Sequence, residues 1–271
     1  MKMELLFQYG YDIMTCKENK SEFARKNNMV INLMSWNTAL YEFKNTSFKK
    51  SGLDNENFLK KVYKRIKAHL NKENAVAVLQ EIPFKSNFDW KEHPIFTEVK
   101  KDFPADQYDL LYNLSTKNQI MMTVVVAKRG IIKNNPNGIN TNRFVSFNIK
   151  DISLVGIHSK NADQLREALQ NIKGNRPDII IGDFNAGNYY LNDKDKDDEI
   201  AVNRNNYLSL TEEYIDLCQG KVTTTYNRYI DHILIKSNHE FLFKCKCMNV
   251  NVDNNVKLSD HFPIYCTIET E

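Results

Sequence analysis

Apolar runs of strand length recur along this chain, and most of them stop at a polar side chain. In the run IIIGDFNAG, residues 179–187, three isoleucines lead directly into Gly182, Asp183 and Asn185. Such continuous apolar runs are typical of strands that are buried on both faces. Because charged groups are rarely buried without a partner, these strand ends predict either turn caps or a layer of reactive side chains.

The pattern of elements favours an α/β fold with many strands and few helices. Three helices are predicted, over about 55–70, 162–173 and 206–217, and residues 143–150 and 152–159 are predicted to form a hairpin. The other predicted strands cover 29–36, 75–82, 108–114, 119–128, 179–184, 229–236, 241–252 and 262–269. This excess of strands favours two packed sheets with the helices outside over a strictly alternating βαβ sheet.

Length and composition are consistent with one large core. The 271 residues are 42% hydrophobic, and no internal repeat or linker rich in Pro, Gly and Ser divides them. Residues 1–28 stand apart, because an alternating stretch from Phe7 to Ile13 is followed by a polar segment. We therefore predict an added arm or edge element over 1–28 and a single domain over 29–271.

Charge, cysteine content and hydropathy limit the class of protein. The formal charge of +3 permits a phosphate-bearing substrate but lacks the strong basic excess of a protein that coats nucleic acid. Five scattered cysteines show no zinc-binding spacing and are expected as buried thiols in a reducing compartment. No run approaches the roughly 18 apolar residues of a membrane span, and Glu4, Gln8 and Asp12 interrupt the apolar stretch that a secretory signal would need. These features predict a cytoplasmic protein. The composition, rich in Asn, Lys and Ile, predicts a bacterial or phage origin.

Polar side chains at the ends of apolar strands, or buried within them, form the candidate site. Any one of them is more typical of a turn cap, but so many together indicate a shared layer, where a rigid sheet holds polar groups at fixed separations. Carboxylates without neighbouring thiolates favour Mg²⁺ or Mn²⁺ over zinc. Phosphoryl chemistry needs such a cation, a group that orients water and donors for the phosphate oxygens. The residues are Asn37, Glu81, His158, Asp183, Asn185, Asp231, Asp260 and His261.

The order of several short motifs resembles a known family. The segments SWN, LQE, HS, GDFN, IDHI and SDH follow one another within residues 29–269 as in the endonuclease/exonuclease/phosphatase superfamily, which has the deoxyribonuclease I-like fold. The segment 156–187 is similar to deoxyribonuclease I, and His158 stands where the exonuclease III branch usually has a tyrosine. The resemblance implies a four-layer α/β/β/α sandwich of two packed, mostly antiparallel sheets, with a divalent-metal phosphodiesterase site at one end.

The resemblance also implies a metal-binding group of residues. Glu81 is expected to be the main metal ligand, with Asn37 and Asp260 beside the metal or the phosphate. The implied cofactor is Mg²⁺, with Mn²⁺ as the alternative.

A second group of residues is implied for catalysis. Asp183 is expected to position the attacking water, while Asn185 and His158 contact the phosphate in the transition state. Asp231 is expected to orient His261.

The expected activity is that of a nuclease, which hydrolyses backbone phosphodiester bonds by metal-assisted in-line attack of water. Nucleic acid is therefore the expected partner, DNA before RNA. One alternative is a hydrolase of a smaller phosphoester, such as a phospholipid headgroup, a nucleotide or a protein-linked phosphate, and another is a catalytically dead binding protein. The chain departs from many family members at Tyr229, where they carry an arginine; here Arg228 lies one residue earlier.

Three further segments each keep two interpretations. The basic residues of 49–67 form either a nucleic-acid patch or the solvated face of an outer helix. The aromatic residues of 41–48 either stack on a ligand or pack in the core. The acidic run 192–199 begins like a calcium loop but lacks the glycine and the final glutamate, so a solvated loop is the alternative.

Overall fold

The computed structural model describes residues 29–40, 55–84, 92–114, 120–159, 162–174, 176–187, 198–238, 242 and 245–270. The predicted arm over 1–28, the aromatic segment 41–48 and nearly all of the acidic run 192–199 lie outside these residues. Within the described part of the chain, no helix is long and apolar enough to cross a membrane.

Six strands form the first sheet, in the spatial order β11-β12-β1-β2-β4-β3. Only β1 and β2 are parallel neighbours in it, and the remaining pairs are antiparallel. The strands, numbered in chain order, are β1 (Met29–Asn37), β2 (Ala75–Pro83), β3 (Tyr108–Leu111), β4 (Met121–Lys128), β11 (Cys245–Val252) and β12 (Ile264–Thr270).

The second sheet also has six strands, in the order β5-β6-β7-β8-β10-β9. Its one parallel pair is β7 with β8, and the predicted hairpin is present as the antiparallel pair β6 and β7. The strands are β5 (Lys133–Asn134), β6 (Phe144–Ile149), β7 (Ile152–His158), β8 (Ile179–Asp183), β9 (Tyr214–Asp216) and β10 (Asp231–Lys236).

Four helices in the described residues cover the outer faces of the two sheets. Apolar residues of α1 (Asn55–Leu70) and α2 (Pro94–Asp102) pack on the first sheet, and those of α3 (Ala162–Gly174) and α4 (Asp198–Thr211) pack on the second. Between the sheets lies a core rich in isoleucine and valine, which fit the pleated surfaces of facing strands. The expected four-layer α/β/β/α sandwich is thereby confirmed.

The two parallel pairs determine where the polar strand ends meet. Parallel strands end at the same edge of a sheet, so the last residues of β1 and β2 are neighbours, as are those of β7 and β8. In β7 and β8, His158 lies opposite Asp183. Because β10 runs antiparallel to β8, its first residue, Asp231, also lies opposite Asp183. One rim of the sandwich therefore collects polar residues from both sheets.

The predicted helix over 206–217 is wrong in its position. The helix α4 ends at Thr211, and Tyr214–Asp216 instead form the edge strand β9, which pairs with the end of β10. Sheet pairing overrides the helical spacing of the apolar residues here.

The helix α2 had no predicted counterpart, although its start is marked in the sequence. Pro94 stands in the first turn, and the His93 side chain accepts a hydrogen bond from the backbone N–H of Ile95.

Candidate active site

Glu81 is presented by an irregularity in β2. The pairing of β2 with β4 shifts register between Leu79 and Ile82, and Glu81 has a φ of 57°. A bulge of this kind re-aims a side chain at the end of a strand. The Nδ2 group of Asn37, the last residue of β1, donates to Glu81 Oε1 over 3.1 Å and to Asp183 Oδ2 over 2.9 Å. Asn37 therefore joins carboxylates from the two sheets.

Asp183 ends β8 and is buried, with only 1% of its surface exposed. Its carboxylate accepts hydrogen bonds from Asn37 and from the backbone N–H of Asn185, the latter over 2.8 Å. Gly182, just before it, has a φ of 150°, and a Cβ there would lie 1.9 Å from the carbonyl oxygen of Ile157. Only glycine permits this close approach of β7 and β8, which places Asp183 beside His158.

The side chain of Asn185 helps to hold the loop after β8. Asn185 has a φ of 46°, a conformation that asparagine tolerates better than most residues. Its Nδ2 group donates to the carbonyl oxygen of Ser159 over 2.6 Å. An amide nitrogen carries two hydrogens, so a second donor remains for a ligand.

His158 has a defined tautomer because an arginine contacts its ring. Arg143 Nη1 lies 3.0 Å from His158 Nδ1, and a guanidinium can only donate, so Nδ1 accepts and Nε2 carries the proton. The Nε2 atom faces Glu81 Oε1 at 3.6 Å and Asp183 Oδ2 at 3.8 Å. Burial, together with Arg143 and His261, lowers the pKa of His158 well below its ordinary value. His158 is therefore a neutral donor.

His261 has the opposite charge state. Its Nδ1 lies 2.9 Å from Asp231 Oδ2, and its Nε2 lies 3.9 Å from Asp183 Oδ2. Burial alone would lower the pKa of His261, but the carboxylates of Asp231 and Asp183 outweigh burial and raise the pKa to about 10. An imidazolium therefore stands next to a neutral imidazole around one shared carboxylate.

The pKa of Asp183 itself is raised above its usual value. Burial is the main cause and Asp231 adds to it, while His261 and the hydrogen bonds from Asn37 and Asn185 act in the opposite direction. A carboxyl group with a raised pKa is better suited to accept a proton near neutral pH than an ordinary aspartate.

Asp260 is connected to the same group of residues through Ser259. The Ser259 hydroxyl lies 2.7 Å from the carbonyl oxygen of Asn37 and 3.3 Å from Asp260 Oδ1, and it accepts the backbone N–H of His261. Asp260 is half-buried, and its charge contributes to the raised pKa of His261. The structure thus brings Asp260 beside His261, without a hydrogen bond or ion pair to Glu81 among those found in the described residues.

Two residues of the site were missed in the sequence. Arg143 stands at the head of a predicted strand, and only its contact with His158 shows that it belongs to the site. His232, in the IDHI motif, directs Nε2 at the carbonyl oxygen of Ala186 over 2.8 Å and Nδ1 at Asp216 over 2.9 Å. Burial would lower the pKa of His232, but Asp216 outweighs burial and raises it. A buried imidazolium therefore holds the loop that carries Asn185.

The donor set of the site fits a hard divalent cation. Glu81 keeps 19% of its side-chain surface exposed, and both Glu81 and Asp260 offer carboxylate oxygens, which Mg²⁺ and Mn²⁺ prefer. Asn37 already uses its Oδ1 to accept the backbone N–H of Ala39 over 3.0 Å, and one lone pair remains on that oxygen.

A second group of possible ligand atoms fits a cation less well. Atoms of Asp183, Asp231 and His261 lie within 4.8 Å of one another. A histidine must be neutral to bind a metal, whereas the neighbouring carboxylates keep His261 protonated. The partly exposed carboxylates of Glu81 and Asp260 are therefore the better candidates.

Comparison with solved structures identifies the fold. The chain matches the endonuclease domain of the telomere-specific non-LTR retrotransposon TRAS1 with a TM-score of 0.56 and 16% identity, over 88% of this chain and 98% of that one. It matches an endonuclease/exonuclease/phosphatase family protein from Bacteroides thetaiotaomicron with a TM-score of 0.58 and 13% identity, over 91% and 100%. The chain has the endonuclease/exonuclease/phosphatase fold.

The solved structures that match this chain also include a phosphatase. A mannosyl-6-phosphatase of Bacteroides thetaiotaomicron aligns with a TM-score of 0.54 and 13% identity, over 88% of this chain and 99% of that one. No protein-family profile matches the sequence, and no curated protein is significantly similar to it. At these identities the similarity establishes the architecture alone.

Proposed function

We propose that the chain is a divalent-metal-dependent phosphodiesterase, and specifically a nuclease that cleaves the backbone of DNA, or RNA, by in-line attack of water. The observation that carries the proposal is that two histidine side chains meet at one carboxylate oxygen of Asp183. His158 presents a neutral N–H and His261 a charged one, 3.8 and 3.9 Å from the same carboxylate oxygen. Such donors match the oxygens of a phosphate that gains negative charge in the transition state.

Each residue then has a defined part in the reaction. Asp183, with its raised pKa, accepts the proton of the attacking water, and Asn37 holds its carboxylate in place. His158 and His261 donate to phosphate oxygens, and Asp231 keeps His261 charged. Glu81 and Asp260 would hold Mg²⁺ or Mn²⁺, which supplies a positive charge for the phosphate and the leaving oxygen.

The same geometry accommodates a smaller phosphoester, and the match to a mannosyl-6-phosphatase favours this second candidate. The two substrates are distinguished by parallel assays on supercoiled plasmid, single-stranded DNA, RNA, p-nitrophenyl phosphate and a sugar phosphate, each with Mg²⁺, with Mn²⁺ and with EDTA. Metal-dependent cleavage of a polynucleotide supports the nuclease. Hydrolysis of the monoesters alone would replace it by a phosphatase.

Two conservative substitutions test the residues themselves. Glu81→Gln and Asp183→Asn each remove one charge without a change in size, and we expect each to cost at least about 3 kcal/mol of transition-state stabilisation, roughly a hundredfold in kcat/KM. Asp102→Asn, at the end of the outer helix α2, is the matched control. Turnover equal to wild type in either site variant would refute the assigned roles.

A further inference from the structure

A cavity outside the candidate active site lies beside helix α1. It has a volume of about 530 Å³ and is lined by Lys61, Lys64, Arg65, Ala68, His69, Lys72, Leu258 and Tyr265. The volume falls in the range of pockets that hold small ligands, roughly 300 to 1,000 Å³. Four of its lining residues are basic, and none is acidic. Its electrostatic character therefore favours an anion.

The lysines of this cavity are available to a ligand. Lys61 and Lys64 are exposed on α1, and neither takes part in an ion pair among the residues that the structure describes. Arg65 differs, because its Nη1 donates to Asp253 Oδ2 over 2.7 Å and lies 3.4 Å from the Tyr265 hydroxyl. Arg65 thus has a fixed position at the cavity, while Lys61 and Lys64 have no carboxylate partner in the part of the chain that the structure describes.

The cavity wall has an aromatic part that suits a planar ligand group. The rings of His69 and Tyr265 have centroids 5.6 Å apart, and Lys72 Nζ lies 5.7 Å from the Tyr265 centroid. His69 Nε2 lies 3.2 Å from the carbonyl oxygens of Asn32 and Val76, so it donates and Nδ1 remains the acceptor. Burial, reinforced by Lys72, lowers the pKa of His69 to about 4, so the ring is neutral. Among the described residues, Nδ1 has no hydrogen-bond partner.

One edge of the cavity, at Leu258, is close to the candidate active site along the chain. Leu258 lines the cavity, and His261 is only three residues further on. Because an extended chain spans at most about 3.6 Å per residue, the Cα atoms of Leu258 and His261 are at most about 11 Å apart. A single strand of a few nucleotides can therefore extend from this edge of the cavity to the candidate active site.

We propose that this cavity is an accessory subsite for a single-stranded segment of the nucleic acid on which the active site acts. The lysines of α1 contact the backbone phosphates, and one unstacked base packs against Tyr265. Basic side chains interleaved with aromatic ones are the usual means of holding a single strand. The inference rests on the proposed function, because the substrate must be a polynucleotide to span both places.

The test measures binding of a short fluorescein-labelled oligothymidylate by fluorescence anisotropy, in EDTA so that the strand stays intact. Lys61→Gln/Lys64→Gln removes two phosphate contacts, and we expect the slope of log K against log salt to fall by about 1.4, at about 0.7 per contact. At 0.1 M salt this is about a 25-fold loss of affinity relative to wild type. The matched control, Lys101→Gln/Lys133→Gln, neutralises two lysines at other places and should bind as wild type does.

The base contact is tested without a further variant. Wild type should bind an abasic strand of equal length at least about fivefold more weakly, the lower end of base–aromatic stacking. Equal affinity for the two strands would overturn the base contact, and an unchanged affinity and salt slope in the double lysine variant would overturn the subsite. So would wild type that binds vesicles of anionic phospholipid but no oligonucleotide.

The result also separates this inference from the proposed function. If wild type cleaves polynucleotides while the double variant keeps wild-type affinity, the subsite is refuted and the nuclease stands. If wild type cleaves no polynucleotide but binds the strand through Lys61 and Lys64, the cavity is a strand-binding site and the nuclease is refuted.

Discussion

The charge of His261 depends chiefly on one neighbour, and the substitution Asp231→Asn tests this directly. Asp231 is the strongest of the groups that raise the pKa of His261 to about 10. The difference from an ordinary histidine, about 6.5, corresponds to roughly 5 kcal/mol of preference for the charged ring. Asparagine keeps the shape and one acceptor oxygen but removes the negative charge. We therefore expect most of this preference to disappear in the variant.

The assay is a histidine NMR titration of the metal-free protein between about pH 5 and 10.5, with His261→Gln used to assign the resonance. In wild type the ring of His261 should stay protonated through neutral pH and titrate near pH 10. In Asp231→Asn the midpoint of the His261 titration should move down by two or more pH units, which corresponds to about 3 kcal/mol. Asp102→Asn is the control and should leave the titration unchanged.

Two results would refute the reasoning. In one, His261 of wild type titrates near its ordinary pKa of about 6.5, which would mean that burial outweighs the carboxylates. In the other, Asp231→Asn titrates as wild type does, which would assign the raised pKa to Asp183 instead. The resonance of His158 provides an internal contrast, because its lowered pKa keeps that ring neutral throughout the range.

Three further predictions concern stability. Gly182→Ala should lower the free energy of unfolding by about 4 kcal/mol or more, because its Cβ meets the Ile157 carbonyl at 1.9 Å. Urea denaturation measures this loss. The control is Gly130→Ala, where φ is positive but the space is open, and it should cost only about 1 kcal/mol. The pKa of His232 is raised, so the stability that its charge contributes is fully present below about pH 6.5 and is lost as pH rises through the folded-state pKa. The unfolding free energy of His232→Asn should therefore differ most from wild type near pH 6, and a difference independent of pH would contradict a charged His232. Finally, Mg²⁺ at about 100 times its Kd should stabilise wild type by about 2.7 kcal/mol, seen as a raised Tm. The Tm of Glu81→Gln should not respond, and an equal rise in both proteins would remove Glu81 as a ligand.

Much of the fold could be predicted because local patterns and tertiary packing agree in it. The helix over 55–70 and the strands around 75–82 and 143–159 have the observed positions to within a residue or two. Each is a strongly periodic or continuously apolar segment, so propensity and burial favour the same structure. The later part of the segment 206–217 was predicted incorrectly, because its helical spacing competes with a sheet edge that only the folded protein provides.

The candidate site was predictable in its residues but not in its electrostatics. The polar strand ends are visible in the sequence, and parallel pairing of neighbouring strands brings them to one rim. The charge states of His158 and His261 depend on Arg143 and Asp231, which lie 15 and 30 residues away from them along the chain. A contact at such separation has no local sequence signal, and the same holds for the bond from His232 to Ala186.

The division of the rim between two sheets has a consequence for how activity depends on folding. Asn37 and Glu81 belong to one sheet, while His158 and Asp183 belong to the other. Packing between the layers, together with the hydrogen bond from Asn37 to Asp183, fixes their separation. At Gly156 the layers approach so closely that a Cβ would lie 2.7 Å from Val78 Cγ1. A partly unfolded state that preserved only one layer would keep only part of the candidate site, and it would therefore be inactive. Enzymatic turnover would therefore report the docking of the layers more sensitively than any spectroscopic measure of strand content.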